Sequence, residues 1–224
     1  MRSLALLGAT ALVSAAAVAQ PAVDWTKRTA ASTDGGFVMG NSKAKVTLVE
    51  YGSLTCPHCR HFAETGIKPL TANYIRTGKV RFEFRNYILN GYDLSASVIA
   101  RCGGASRFFP VAESFFATQD SWIERIRKTP RDRLEAVEGL PDDKKLAAIA
   151  EIGGFKAIAA EKGIAPAAAD KCLADPAAAK RLVDMTDAAQ DRYGVKGTPT
   201  FFVNGKRVDG ADWASVEAAL KAAL

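Results

Sequence analysis

Val80-Arg81-Phe82-Glu83-Phe84-Arg85 alternates apolar and polar side chains with period two, the pattern of a β-strand buried on one face. Val46-Thr47-Leu48-Val49-Glu50-Tyr51 is a second run of strand length, rich in β-branched residues. Between them Phe62, Ala63, Ile67, Leu70 and Tyr74 recur at near-helical spacing. This helix is expected to start at Cys56-Pro57-His58-Cys59, because proline is favoured at the first helical position. Pro69 should kink it and Gly78 should end it. Ahead of the first strand, Gly36 to Gly40 reads as a short edge strand and Asn41-Ser42 as a turn. Residues 20–35 are polar and without period, and are expected to be a mobile leader.

From Asp93 to Tyr193 the chain becomes Ala-rich and helical, with breaks expected at Gly103-Gly104, Pro110, Pro130, Pro141, Gly153-Gly154, Pro166 and Pro176. Leu146, Ile149 and Ala150 mark one amphipathic turn, and Leu182, Met185 and Ala189 another. Thr200-Phe201-Phe202-Val203 then reads as a strand, Asn204-Gly205 as a hairpin turn, and Lys206-Arg207-Val208 as the returning strand. Asp212 is placed to cap a last helix through Val216 and Leu220. The order is strand, helix, strand, about a hundred helical residues, hairpin, helix. A parallel crossover opens the chain, and the hairpin adds antiparallel strands. The fold class is therefore α/β, with a sheet domain in two segments, 20–92 and 194–224, and a helical insertion at 93–193.

The 224 residues suffice for a sizeable core. An apolar fraction of 48% with 24% charged residues excludes a disordered chain, a collagen, a coiled coil and a polytopic membrane protein. The net charge of +6 is scattered: Arg125, Arg127, Lys128, Arg131 and Arg133 alternate with Glu124, Asp132 and Glu135. No aromatic residues interleave with basic ones as a nucleic-acid groove requires, so no nucleic-acid partner is expected. Residues 1–19 read as a secretory signal: Arg2, an uncharged apolar stretch from Leu4 to Val18, then Ala17-Val18-Ala19, with cleavage before Gln20. That stretch is short for a membrane span, and no cysteine follows it to carry a lipid. An exported product lives where disulfides persist.

Cys56 and Cys59 carry the chemistry. The pair follows a strand and opens a helix, with Pro57 between its members. At a helix start, unpaired backbone N–H groups and the helix dipole favour an anion. Thiolate is the reactive form of cysteine, so Cys56 gains reactivity there. Cys59 lies one turn on and faces the same way, placed to attack a mixed disulfide at Cys56. His58 can add a hydrogen bond or positive charge to the thiolate. Two other readings exist. A structural disulfide of this spacing closes too small a loop to contribute much. A zinc site of Cys56, Cys59, His58 and His61 would lack the second ligand pair usual in structural sites. Asp93, Asp170 and Asp184 read as caps or solvated charges. Cys102 and Cys172 remain, and an exported chain with an even cysteine count tends to pair them; two buried free thiols are the alternative.

The segment from Gly36 to Cys59, the Thr198-Pro199 turn and the size of the helical insertion resemble the DsbA-like thiol–disulfide oxidoreductases. The resemblance implies a thioredoxin fold with an inserted helical domain. Cys56-Pro57-His58-Cys59 resembles the motif of the oxidising members, with Cys56 as exposed nucleophile and Cys59 as buried partner. Glu50, six residues before Cys56, matches the buried acid under the site. Pro199, preceded by Thr198, matches the cis-proline that faces the disulfide, where substrate would bind. The implied activity is donation of the Cys56–Cys59 disulfide to reduced secreted polypeptides, with a membrane oxidase of the DsbB type restoring it. No metal, nucleotide or flavin is required, since both electrons reside on the two sulfurs. Residues 20–45 are too few for the dimerisation domain of the dimeric isomerases, so a monomer is expected. The alternatives are an isomerase or reductase of the same fold, or a non-catalytic chaperone or metal-binding module.

Overall fold

The computed structural model describes residues 23–224, so the signal segment 1–19 and its cleavage site lie outside the described residues. The strands are β1 (Thr29–Ala31), β2 (Phe37–Met39), β3 (Val46–Gly52), β4 (Val80–Asn86), β5 (Thr200–Val203) and β6 (Lys206–Arg207). They form one six-stranded sheet in the order β1-β2-β4-β3-β5-β6. β3 and β4 are parallel, with Val46 opposite Val80 and Glu50 opposite Phe84. β2 and β5 flank them antiparallel. The alternation read from the sequence is what divides the faces. Leu48, Glu50, Phe82, Phe84, Phe201 and Val203 share one face, because directly paired residues point the same way.

The crossover from β3 to β4 runs through α1 (Pro57–Thr65), α2 (Ile67–Leu70) and a π-turn (Thr71–Ile75). Phe62 of α1 stacks on Phe201 with ring centroids 4.4 Å apart. The expected kink at Pro69 is displaced to Gly66. A Cβ on Gly66 would come within 2.7 Å of the Phe62 ring, so the residue that ends α1 has to be small. Pro69 falls in the first turn of α2, where helical N–H groups lack partners anyway. Residues 23–35 are not a mobile leader. Trp25–Lys27 form a 3-10 turn capped by Asp24, and β1 pairs with β2. Trp25 lies against Gly78, whose φ of +77° and lack of a Cβ make room for the indole.

Between β4 and β5 lie α3 (Gly91–Cys102), α4 (Ala105–Ala117), α5 (Gln119–Arg127), α6 (Arg131–Glu138), α7 (Asp142–Gly153), α8 (Phe155–Ala160), α9 (Pro166–Leu173) and α10 (Pro176–Tyr193). Pro110 does not break the chain; it sits inside α4. An interior proline costs a helix ~3 kcal/mol. Burial of Phe108, Val111 and Phe115 on the same helix outweighs that. Phe108 packs on Phe84 at 5.4 Å and on Phe37 at 4.8 Å, and so joins the inserted helices to the sheet. The last helix, α11 (Trp213–Ala223), is capped by Asp212, whose carboxylate accepts from Ser215 N–H at 2.8 Å.

A disulfide joins Cys102 at the end of α3 to Cys172 in α9, with Cα atoms 5.9 Å apart and a sequence separation of 70. Closing a loop of that length removes unfolded-state entropy equivalent to about 4 kcal/mol. The double substitution Cys102→Ser, Cys172→Ser should lower the unfolding free energy in urea by up to that amount. Cys102 lies about 14 Å along α3 from Asp93, so the thiolate titration of Cys56 should not move. Equal stability of the two proteins would show that the bridge does not constrain the fold.

Candidate active site

β3 delivers the chain to the site and α1 carries it away. The four residues from Ser53 to Cys56 make the turn. Cys56 N–H donates to Ser53 O at 3.2 Å, and Thr55 N–H donates to Ser53 Oγ at 3.1 Å. Cys56 is the N-cap of α1 with extended φ and ψ, and Pro57 is the first helical residue. Cys56 is not the exposed nucleophile that the resemblance implies: it is only 5% exposed, with its sulfur against the Thr198 carbonyl, while Cys59 is fully buried. Both are thiols in this structure. Cys56 Sγ donates to Thr198 O at 3.2 Å, and Ser53 N–H donates to Cys59 Sγ at 3.5 Å. The Thr198–Pro199 peptide is cis. The Thr198 hydroxyl is buried with no hydrogen-bond partner while Cys56 is a thiol, and so is a donor available to a thiolate.

The two sulfurs are driven apart electrostatically. Cys56 is pulled down to about 5, chiefly because the Cys59 thiol donates to it. Burial opposes this, while Thr198 and the backbone N–H groups of Cys59 and His58 reinforce it. Cys59 is pushed well above its ordinary value by burial, by its donation to Cys56 and by the nearby Glu50 carboxylate. Glu50 lies 2% exposed on the same sheet face as Phe84 and Phe201. Burial, with the Cys56 charge adding to it, raises Glu50 to about 8. Gly52 keeps that space open, since a Cβ there would come within 2.6 Å of the Phe84 ring.

The structure thus brings Cys56, Cys59, Glu50, Thr198 and Pro199 to one place. The His58 imidazole is exposed and makes no hydrogen bond among the described residues; its backbone N–H is the part that serves the thiolate. Pro57 is exposed beside it and His61 points to solvent. Among the described residues no group of three or more His, Cys, Asp or Glu side chains is placed to hold a metal ion. No helix among them is long and apolar enough to cross a membrane.

Two residues of this region escape sequence reasoning. Asp93 is neither a cap nor solvated: it is fully buried and accepts from Leu54 N–H at 2.9 Å and Leu89 N–H at 3.0 Å. The cap of α3 is Asn90, whose side chain accepts from Asp93 N–H. Burial raises Asp93 to about 6 against those hydrogen bonds. Gln119, at the start of α5, donates to Leu54 O at 2.8 Å and to Cys56 O at 3.1 Å. Neither residue belongs to a local motif, because both reach the site across the fold. Asp170 and Asp184 are surface charges paired with Lys156 and Lys180.

The thioredoxin family profile matches residues 32–222. The solved structure of a protein-disulfide isomerase from Novosphingobium aromaticivorans is 33% identical, with a TM-score of 0.77 over 83% of this chain and 95% of that one. Wolbachia pipientis alpha-DsbA1, 22% identical with a TM-score of 0.62 over 86% of this chain and 92% of that one, shares the fold. A Rickettsia conorii protein provisionally named a protein-disulfide oxidoreductase is 37% identical over 103 residues, 46% of this chain. The match spans only 37% of that relative's length. The chain belongs to the thioredoxin family, and its α/β fold with inserted helices is that of the DsbA-like thiol–disulfide oxidoreductases.

Thiolate absorbance in the ultraviolet, followed against pH in the reduced protein, should show one sulfur ionising near pH 5. Cys59→Ala removes the strongest donor and should move that transition toward the free value of ~8.5. Cys59→Ser keeps a hydroxyl donor and should fall between the two. Identical curves for all three proteins would mean that the Cys59 thiol does not hold the charge.

Proposed function

We propose that this chain is an exported dithiol–disulfide oxidase that donates the Cys56–Cys59 disulfide to reduced secreted polypeptides. The observation that carries the reading is the opposition of the two sulfurs, Cys56 held low and Cys59 held high. Stabilising one thiolate favours the dithiol state and so makes the disulfide a stronger oxidant.

A substrate thiolate attacks Cys56 Sγ, the S–S bond to Cys59 breaks, and Cys59 leaves as thiolate. Its high proton affinity draws a proton, and Glu50, neutral below about pH 8, is the group beneath the site that can give one. A second substrate thiolate then attacks the substrate sulfur of the mixed disulfide and releases Cys56 as thiolate. Two electrons pass from substrate to protein, and the substrate leaves with one disulfide. Thr198 O, which accepts from Cys56 only while that sulfur is protonated, is free to pair with an extended substrate segment once the proton is gone. Pro199 holds that carbonyl beside the sulfur. His58 stands at the exposed rim and serves the Cys56 thiolate through its backbone N–H. Cys102–Cys172 braces the inserted helices and takes no part in turnover. Reoxidation by a membrane oxidase of the DsbB type, action as a monomer and export after cleavage before Gln20 belong to the same reading. The signal-like segment and the DsbA-like family support it.

A second reading, disulfide isomerase, is favoured by the name of the Novosphingobium relative. The two separate on substrate. The oxidised protein should convert a reduced, unfolded two-cysteine substrate to its disulfide one-for-one, and should do little to a fully oxidised, scrambled one. Cys56→Ser should abolish the transfer, and Glu50→Gln should slow it roughly 100-fold or more through loss of the proton donor. Efficient unscrambling with poor oxidation would favour the isomerase, and no reaction with either substrate would favour a binding module.

A further inference from the structure

Two residues of the turn before α1, Leu54 and Cys56, are gripped from the inserted helices. Leu54 N–H donates to Asp93 of α3 at 2.9 Å. Leu54 O and Cys56 O each accept from Gln119 of α5, at 2.8 and 3.1 Å. Gln119 is 1% exposed, and Asp93 fully buried. Two acceptors face the Gln119 amide nitrogen, so both of its hydrogens are used and the amide has only one satisfactory orientation. The Cys56 carbonyl already accepts the first bond of α1, from Arg60 N–H at 3.1 Å. Gln119 occupies its second lone pair and fixes the peptide plane that links Cys56 to Pro57. The next residue of α5, Asp120, pairs with Arg60 on the first turn of α1. The start of α5 therefore holds both the approach to Cys56 and the helix that leaves it.

We propose that Gln119 is a positioning residue of the redox site: with Asp93 it locks the 53–56 turn so that the N–H groups of His58 and Cys59 converge on the Cys56 sulfur. Among the described residues neither side chain hydrogen-bonds to that sulfur. Without Gln119 the two carbonyls lose their buried donor, and the turn rotates to find another. The N–H groups that favour the thiolate then no longer aim at it, and the thiol regains its proton more readily. On this account the inserted helices tune the nucleophile of the sheet domain.

The proposal rests on Cys56 being the depressed thiol of the reading above, and the test separates the two. Gln119→Leu removes the donor with little change of volume and no change of charge. It should raise the Cys56 transition, followed by thiolate absorbance, by about one pH unit, a tenfold change in proton affinity. The equilibrium constant with glutathione should move about tenfold toward the protein disulfide. Trp122→Phe serves as the stability control. It deletes the bond from Trp122 Nε1 of α5 to Phe115 O of α4, so it should lower the melting temperature and leave both readings in place. If Gln119→Leu does not fold, Gln119→Met is read in the same way. A wild-type transition near the free value would defeat the oxidase reading itself. A low wild-type transition that neither Gln119 variant moves, or that Trp122→Phe moves equally, would overturn the positioning role alone.

Discussion

The Cys56 sulfur sits where α1 has not yet closed its first hydrogen bonds, and the rest of the site depends on keeping it there. A thiolate needs donors, and this one draws on the Cys59 thiol, the Thr198 side chain and two backbone N–H groups. Each comes from a different constraint. Cys59 is one helical turn on, the backbone groups are the orphans of the helix start, and Thr198 arrives from the segment ahead of β5. Sequence supplies the cysteine, but the fold supplies the anion site.

The sheet makes that convergence possible. β3 lies between β4 and β5, so its end is flanked by neighbours on both sides. Glu50 enters the apolar face among Phe84 and Phe201 with Phe62 packed close by. A carboxyl buried in that company stays protonated to about pH 8, which suits it to exchange a proton with a sulfur that is equally reluctant to ionise. The same burial costs stability above the ordinary carboxylate range, because the unfolded chain releases that proton and the folded one does not. A site of this kind is retained for its chemistry, at some expense to the fold around it.

Strands β2 to β5, the α1 start at Pro57, the hairpin at Asn204-Gly205 and the Asp212 cap were legible because local pattern decides them. Alternation, proline at the first helical position and a capping carboxylate act over a few residues. The misses share the opposite property. Pro110 sits within a helix because Phe108 and Phe115 anchor it on the core. Gly66, rather than Pro69, ends α1 because of where the Phe62 ring lies. Residues 29–31 form a strand only because β2 offers an edge, and Trp25 is fixed by Gly78, 53 positions later. Asp93 looked like a cap from its neighbours, yet its partners are Leu54 and Leu89. The CxxC chemistry is carried by a motif; the residues that aim it are recognised only when distant segments are brought together.

If the fold stabilises a Cys56 thiolate, the dependence of stability on pH must carry its mark. The folded value near 5 lies below that of the unfolded thiol. Between the two the unfolded reduced chain holds one more proton than the folded one, so the reduced protein gains stability as pH rises. The gain is complete above the unfolded value and is lost as pH falls through the folded one. The oxidised protein has no such thiol. Urea unfolding of both forms from pH 5.5 to 8 should therefore show the reduced-minus-oxidised difference growing by about 1 kcal/mol per pH unit. A difference that stays flat across that range would mean that the fold holds no thiolate at Cys56.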